Sequence, residues 1–161
     1  MRRLEKTIRE IGWTYAVPRL EVSDPVSRAF DAMSREVHDC VLVMRENKLA
    51  GIFTSRDFLN RIAAERADPA KVELGEVMTE TPRTLRPRDP VAFAINWMAI
   101  EGFRNVPIVD DNGEVLGALT VWDVMRHLGE IFDDIDATPR PTPPGGDTSN
   151  VISMIDLGGG S

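Results

Sequence analysis

The chain has 161 residues, 42% hydrophobic and 28% charged, the make-up of one ordinary globular domain whose core needs no disulfide staples. Nineteen Lys+Arg against 26 Asp+Glu leave a net charge of −7. That argues against a nucleic acid polymer or an anionic membrane as main partner, because both call for a basic footprint.

Residues 1–13 open the chain with Leu4, Ile8 and Ile11 on one face, the pattern of a short amphipathic helix docked on a core. The basic start Met1-Arg2-Arg3 has no apolar stretch behind it, so a secretory leader is not expected. Asp24-Pro25-Val26 then reads as a capped helix start with proline at its first position. Val26, Ala29, Phe30 and Met33 follow at helical spacing. An apolar strand over Val41 to Met44, a turn at Glu46-Asn47-Lys48 and a second strand over Leu49 to Phe53 come next. A second helix starts at Thr54 and carries Phe58, Leu59 and Ile62. After a linker over 67–80 the whole series returns: a helix with Val91, Ala94, Ile95 and Met98, a strand over Val106 to Val109, and a turn at Asp111-Asn112-Gly113. A strand over Val115 to Leu119 and a helix from Thr120 with Val124, Met125 and Leu128 complete it. From 133 the chain turns acidic and then Pro/Gly-rich, the composition of a disordered tail, with a small apolar island over Val151 to Leu157.

The series is a divergent internal duplication. Asp24-Pro25-Val26 recurs as Asp89-Pro90-Val91, a shift of 65, and Leu20, Ala29, Met33, Glu36 and Val41 meet identical residues at that shift. One residue inserted in the turn makes the shift 66, and Gly51, Thr54 and Asp57 then fall on Gly117, Thr120 and Asp123. Each unit is helix–strand–strand–helix, and a two-stranded sheet is not stable alone, so the two must share a core.

Both copies place Gly-x-x-Thr-x-x-Asp at the junction of second strand and second helix, and the pattern has two readings. It is a capping box, in which Thr and Asp satisfy the first backbone N–H groups of the helix. The same residues also suit a nucleotide: the helix start and Thr hydroxyl for a phosphate, the two Asp oxygens for a ribose diol, and glycine for close backbone approach.

With the motif present twice in this order, the chain resembles a tandem pair of CBS (cystathionine β-synthase) domains, a Bateman module, over roughly residues 14–130. Val77-Met78-Thr79 and Val106-Pro107-Ile108-Val109-Asp110 match the family's usual wording too. The resemblance implies an α/β (α+β) fold, with CBS repeats at 14–66 and 81–132 related by a pseudo-twofold axis. It also implies two clefts, each combining the Thr and Asp of one repeat with the lead-in strand of the other. Thr54, Arg56 and Asp57 would then work with Thr79, Thr81, Pro82 and Arg83. Thr120 and Asp123 would work with Thr14, Ala16 and Val17, beside Arg104, Asn105, Val106 and Pro107, the apolar members walling the base. The family's ligands are AMP, ADP or ATP, less often NAD, S-adenosylmethionine or a cyclic dinucleotide, and its members commonly form homodimers. Arg104-Asn105 before the second copy's strand offers a guanidinium to a phosphate, whereas Asp39-Cys40 in the first offers a carboxylate that would repel one. The tighter site is therefore expected at Asp123, and the Asp57 cleft is expected to be weak or to prefer a less charged ligand.

Other residues favour structural roles. His38 and His127 lack partners at metal-ligand spacing, Cys40 at the mouth of a strand reads as a buried thiol, and Trp13, Trp97 and Trp122 read as packing residues, with Trp122, inside the second motif, alternatively a ligand contact. Asp110 to Glu114 reads as a hairpin turn; its glycine comes too early for a calcium loop. No catalytic constellation stands out. The expectation is a cytoplasmic, non-enzymatic regulatory module that binds an adenine nucleotide and signals to an unidentified partner protein. The rival is a ligand-free interaction or dimerisation scaffold in which the motif residues only cap helices.

Overall fold

The apolar run beginning at Cys40 shows how the fold is assembled. In the computed structural model, which describes residues 5–36 and 38–135, it forms strand β2 (Cys40–Arg45). Val41 and Val43 enter one buried cluster, while Cys40, Leu42 and Met44 enter another on the opposite face. A strand covered on both faces has no polar side to show, hence the unbroken apolar sequence.

Strand β1 (Arg19–Glu21) lies parallel to β2; β2 and β3 (Lys48–Thr54) form an antiparallel hairpin; β4 (Thr79–Glu80) adds antiparallel to β3. The order is β1-β2-β3-β4. The second copy supplies the hairpin β5 (Asn105–Val109) and β6 (Val115–Thr120). It is flanked by single bridges, Leu85 parallel to Ile108 and Thr14 antiparallel to Ala118. The two sheets match position for position. Leu20 on Val43 corresponds to Leu85 on Ile108, and Thr79 on Ile52 corresponds to Thr14 on Ala118. Each sheet is therefore completed by the chain that leads into the other repeat.

Four helical segments flank the sheets: α2 (Val26–Glu36) and α5 (Val91–Glu101), then α3 (Ser55–Asp57), which continues as a π-helical stretch over Phe58–Ala63, and α6 (Val121–Ile135). Val26, Ala29, Phe53 and Ile62 pack with Val41 and Val43 into the first repeat's core. Val91, Ala94, Val106, Ile108, Leu119 and Val124 form the second repeat's core. A third cluster joins Val17, Cys40, Leu42, Met44 and Ile52 to Val109, Val115 and Ala118, and this is the core the repeats share. Fully burying a Leu or Val side chain such as Leu42 or Val109 is worth about 1.5–3 kcal/mol of transfer free energy each, so neither repeat can give up this cluster cheaply.

The flanking segments also pair up. Helix α1 (Ile8–Ile11) has a capping box, Thr7 with Glu10, and α4 (Leu74–Val77), inside the stretch read as a linker, has one from Glu73 with Glu76. Ile8 is buried in the second repeat's core and Leu74 in the first's. The backbone N–H of Val91 donates to Lys6 and that of Val26 to Val72, so these segments also satisfy the starts of α5 and α2. Asp24 and Asp89 differ from expectation. Each carboxylate accepts from a backbone N–H three residues back, Glu21 and Arg86, and braces the turn ahead of the helix.

Phe30 and Leu59, placed inward by helical spacing, are 50% and 62% exposed; Phe30 packs its ring on Phe58 instead. Trp122 is 73% exposed and is not a packing residue, whereas Trp13 and Trp97 pack on the second core. The hairpin turns follow the sequence. Glu46 and Asn47 both have positive φ, and the Asp110 carboxylate accepts from the backbone of Asn112 and Glu114.

The chain divides into two compact units, residues 1–129 and 130–161. The first holds both repeats. Of the second, only 130–135 at the end of α6 is described. The remainder of the expected tail, including Val151 to Leu157, lies outside the described residues.

Candidate functional site

Both Gly-x-x-Thr-x-x-Asp motifs form capping boxes. The Asp57 Oδ2 atom accepts from the Thr54 backbone N–H at 2.9 Å and the Thr54 hydroxyl at 3.0 Å. Asp123 Oδ2 accepts from the same two groups of Thr120, both at 2.9 Å. One oxygen of each carboxylate is thus committed to its own backbone, and the other decides what the site can do.

The glycines have a use that sequence alone did not reveal. A Cβ on Gly51 would stand 2.7 Å from the Thr79 carbonyl oxygen, and one on Gly117 would overlap the Thr14 carbonyl oxygen. Glycine lets the other repeat's lead-in segment lie directly against the strand. That approach carries Thr79 and Thr14 to the aspartates: Thr79 Oγ1 lies 3.5 Å from Asp57 Oδ1, and Thr14 Oγ1 lies 3.1 Å from Asp123 Oδ2. The crossing of motif and lead-in strand implied by the family resemblance is present in both copies.

Beyond this the two sites diverge. The Asp123 side chain is 4% exposed, with Arg126 Nη2 at 3.2 Å from Oδ1 and the Thr14 hydroxyl at 3.4 Å from the same atom. Its acceptor capacity is largely taken up. Asp57 is 13% exposed, and among the described residues its Oδ1 has longer neighbours, Thr79 Oγ1 at 3.5 Å and Arg61 Nε at 3.7 Å. Arg61 is held elsewhere, donating from Nη1 to the carbonyls of Val77 and Met78. Asp57 Oδ1 is the aspartate oxygen better able to accept a new partner.

It also borders a cavity of about 370 Å³, within the range of small-molecule sites. Thr54, Arg56, Asp57, Thr79, Arg104 and Asn105, all expected site residues, line it together with Asp39, Ile52, Ser55, Leu59, Gly102 and Phe103. Arg104 and Asn105 are thus placed at the Asp57 cavity rather than serving Asp123 as expected. Opposite charge explains it: Asp39, the equivalent residue of the first copy, holds Asn105 Nδ2 at 2.8 Å and faces Arg104 Nη1 at 3.9 Å. Asp39 was weighed in the sequence only as a repulsive residue. The repeat itself held a better signal, because positions 39 and 104 are equivalent and carry opposite charges.

Other expected site residues are elsewhere. Thr81, Pro82 and Arg83 do not line this cavity. Thr81 has a left-handed backbone, and Arg83 pairs with Glu101 and lies over the Trp97 ring, 5.3 Å from its centre. Val17, Val106 and Pro107 are buried and do not line this cavity, while Ala16 is exposed. Cys40, beside Asp39, is 1% exposed; burial, and secondarily the Asp39 charge, push its thiol up to about 12. It remains a neutral packing group. Among the described residues no group of three or more His, Cys, Asp or Glu could hold a metal ion, and no helix is long and apolar enough to cross a membrane.

Comparison with known proteins agrees with this architecture. The profile of the CBS domain matches residues 9–64 and 74–130. The CBS domain-containing protein CBSCBSPB1 of Arabidopsis thaliana is 32% identical over 108 residues, 67% of this chain and 20% of that protein, so the chain spans only a fifth of this relative. Among solved structures, CBS domain protein PAE2072 from Pyrobaculum aerophilum, complexed with AMP, superposes with a TM-score of 0.68 at 20% identity, covering 80% of this chain and 99% of that one. The CBS domain pair of protein MJ0100, in complex with 5′-methylthioadenosine and S-adenosyl-L-methionine, gives 0.67 at 24% identity, covering 77% and 100%. At these identities the likeness of the structures is one of fold.

Proposed function

The chain belongs to the CBS-domain family, and from that premise we propose that it is a regulatory, non-catalytic module that binds an adenine nucleotide in the Asp57 cavity. The observation that carries this reading is the convergence there of a receptive carboxylate oxygen, two threonine hydroxyls and two guanidinium groups from different repeats. Asp57 Oδ1 accepts from a ribose hydroxyl, Thr54 and Thr79 flank it, and Arg56 or Arg104 meets a phosphate. Ile52, Leu59 and Phe103 supply apolar surface for a base. AMP, S-adenosylmethionine and methylthioadenosine, the ligands named for the two solved relatives, are all adenosine derivatives, which supports that class here.

The cavity combines lining from both repeats, so a ligand favours whichever inter-repeat geometry it binds best, and a partner protein reads the difference. Large apolar side chains exposed on the outer helices, Phe30, Phe93, Ile100 and Met125, support association through those helices, most simply as a homodimer. A cytoplasmic setting fits a metabolite of this kind.

The site at Asp123 is mainly structural in this account, because Thr120, Thr14 and Arg126 already occupy its carboxylate. The same observation favours, for that half of the molecule, the rival reading of a scaffold whose motif residues only cap helices. A thermal-shift screen of AMP, ADP, ATP, NAD and S-adenosylmethionine tests the proposal. One adenine ligand at 100 times its Kd raises stability by about 2.7 kcal/mol. Loss of that shift in Asp57→Asn supports the site. No shift with any of them in folded protein favours the scaffold.

A further inference from the structure

We propose that Asp39 is a specificity-determining residue of the Asp57 cavity, a fixed negative charge that selects a ligand with few phosphates over its di- and triphosphate counterparts. The inference rests on the nucleotide-binding reading above and goes beyond it by assigning a charge limit to the ligand.

The lining carries two guanidiniums, Arg56 and Arg104, against two carboxylates, Asp39 and Asp57, so it has no net positive charge to offer a polyanion. Asp57 has its own work at the ribose. Asp39 does not: among the described residues its carboxylate meets Asn105 Nδ2 at 2.8 Å and Arg104 Nη1 at 3.9 Å. Arg104 is therefore already partly neutralised before any ligand arrives. A phosphate that engages this guanidinium must settle within a few ångströms of the Asp39 carboxylate, because the two groups are neighbours.

Asp39 also cannot withdraw easily. Its backbone carbonyl accepts from the Ser55 N–H, and the next residue, Cys40, is paired with Thr54 in the sheet. The side chain is only 37% exposed, so water screens it in part, and Arg104 at 69% stands beside it at the cavity. The cation accommodates one phosphate group, and the neighbouring anion opposes each further charge. For like charges about 6 Å apart at an effective dielectric of roughly 40–80, the penalty is about three- to tenfold in affinity per added charge.

The experiment is a matched titration by calorimetry of adenosine, AMP, ADP and ATP into the full chain and into Asp39→Asn, in metal-free buffer. Asparagine keeps an oxygen for the Asn105 hydrogen bond and removes the charge. The wild-type protein is expected to weaken from AMP to ATP, and Asp39→Asn to strengthen ADP and ATP by about three- to tenfold per charge while leaving adenosine unchanged. Should the variant fold poorly, the wild-type AMP-to-ATP ratio measured at 0.05 and 0.5 M KCl serves instead, because screening must shrink it. Wild-type protein that prefers ATP, or an AMP-to-ATP ratio unmoved by both charge removal and salt, overturns the assignment while leaving the cavity a nucleotide site. Absence of binding by all four ligands to folded wild-type protein overturns the site itself, and the charge limit with it.

Discussion

Replacing Gly117 with alanine tests the claim that the motif glycines seat the lead-in strands. Gly117 has φ 149°, a conformation that L side chains rarely adopt, and its Cβ would overlap the Thr14 carbonyl oxygen and lie 3.0 Å from Trp13 Cδ1. The obstacle is backbone, so no rotamer change relieves it. The Thr14 segment must retreat, weakening the reciprocal pair Thr14 N–H to Ala118 O (2.9 Å) and Ala118 N–H to Thr14 O (3.0 Å). The Thr14 hydroxyl would leave Asp123 as well. Overpacking costs about 1–3 kcal/mol and the three hydrogen bonds about 1 kcal/mol each, for a total of roughly 4–6 kcal/mol. That corresponds to a fall in Tm of roughly 8–24 °C by calorimetry or circular dichroism. Gly129→Ala is the matched control. It sits in α6 with nothing within 4 Å of its Cβ, so the same change there should stabilise by about 0.5–1 kcal/mol. A Tm for Gly117→Ala within 1 °C of wild type would refute the close approach.

Further outcomes follow from the same geometry. Asp123→Ala should cost about 3 kcal/mol in chemical denaturation because it strips a buried carboxylate from Thr120, Thr14 and Arg126, whereas the more open Asp57→Ala should cost about half of that. Equal losses would contradict the difference drawn between the sites. Cys40 should resist iodoacetamide at pH 8 in folded protein and react only on unfolding. Its folded pKa is raised from 9.0 to about 12, so its contribution to stability is full below pH 9 and lost as pH rises toward 12. By pH 10.5 the loss is about 2 kcal/mol, and Cys40→Ala should remove that part of the pH dependence. Trp122→Ala should leave Tm within about 2 °C of wild type, since the ring is 73% exposed; a large drop would show that it is packed.

Much of this structure was legible in the sequence because duplication and apolar periodicity both leave their mark locally. The hairpins, the paired motif helices and the joint core follow from Val41 to Met44, Val106 to Val109 and the recurring Asp-Pro-Val. What escaped depends on contacts distant along the chain. Helix α1 was expected from Ile8 and Ile11, but its equivalent α4 was read as linker, because Thr7-x-x-Glu10 and Glu73-x-x-Glu76 cap with different residues and a four-residue helix carries little periodicity. Trp122 was misjudged because a large aromatic is buried only where a distant part of the chain comes to cover it, and here the ring is 73% exposed. Arg104 was assigned by its own repeat, but a long charged side chain answers to the nearest counter-charge in space, here Asp39. The π-helical stretch over Phe58–Ala63 has no signature that spacing could reveal.

The most direct test of the account is the stoichiometry of AMP binding by calorimetry to wild type, Asp57→Asn and Asp123→Asn, each first shown to be folded. The account predicts one site per chain, abolished by Asp57→Asn and kept by Asp123→Asn. Two equivalent sites, or binding lost only in Asp123→Asn, would contradict it.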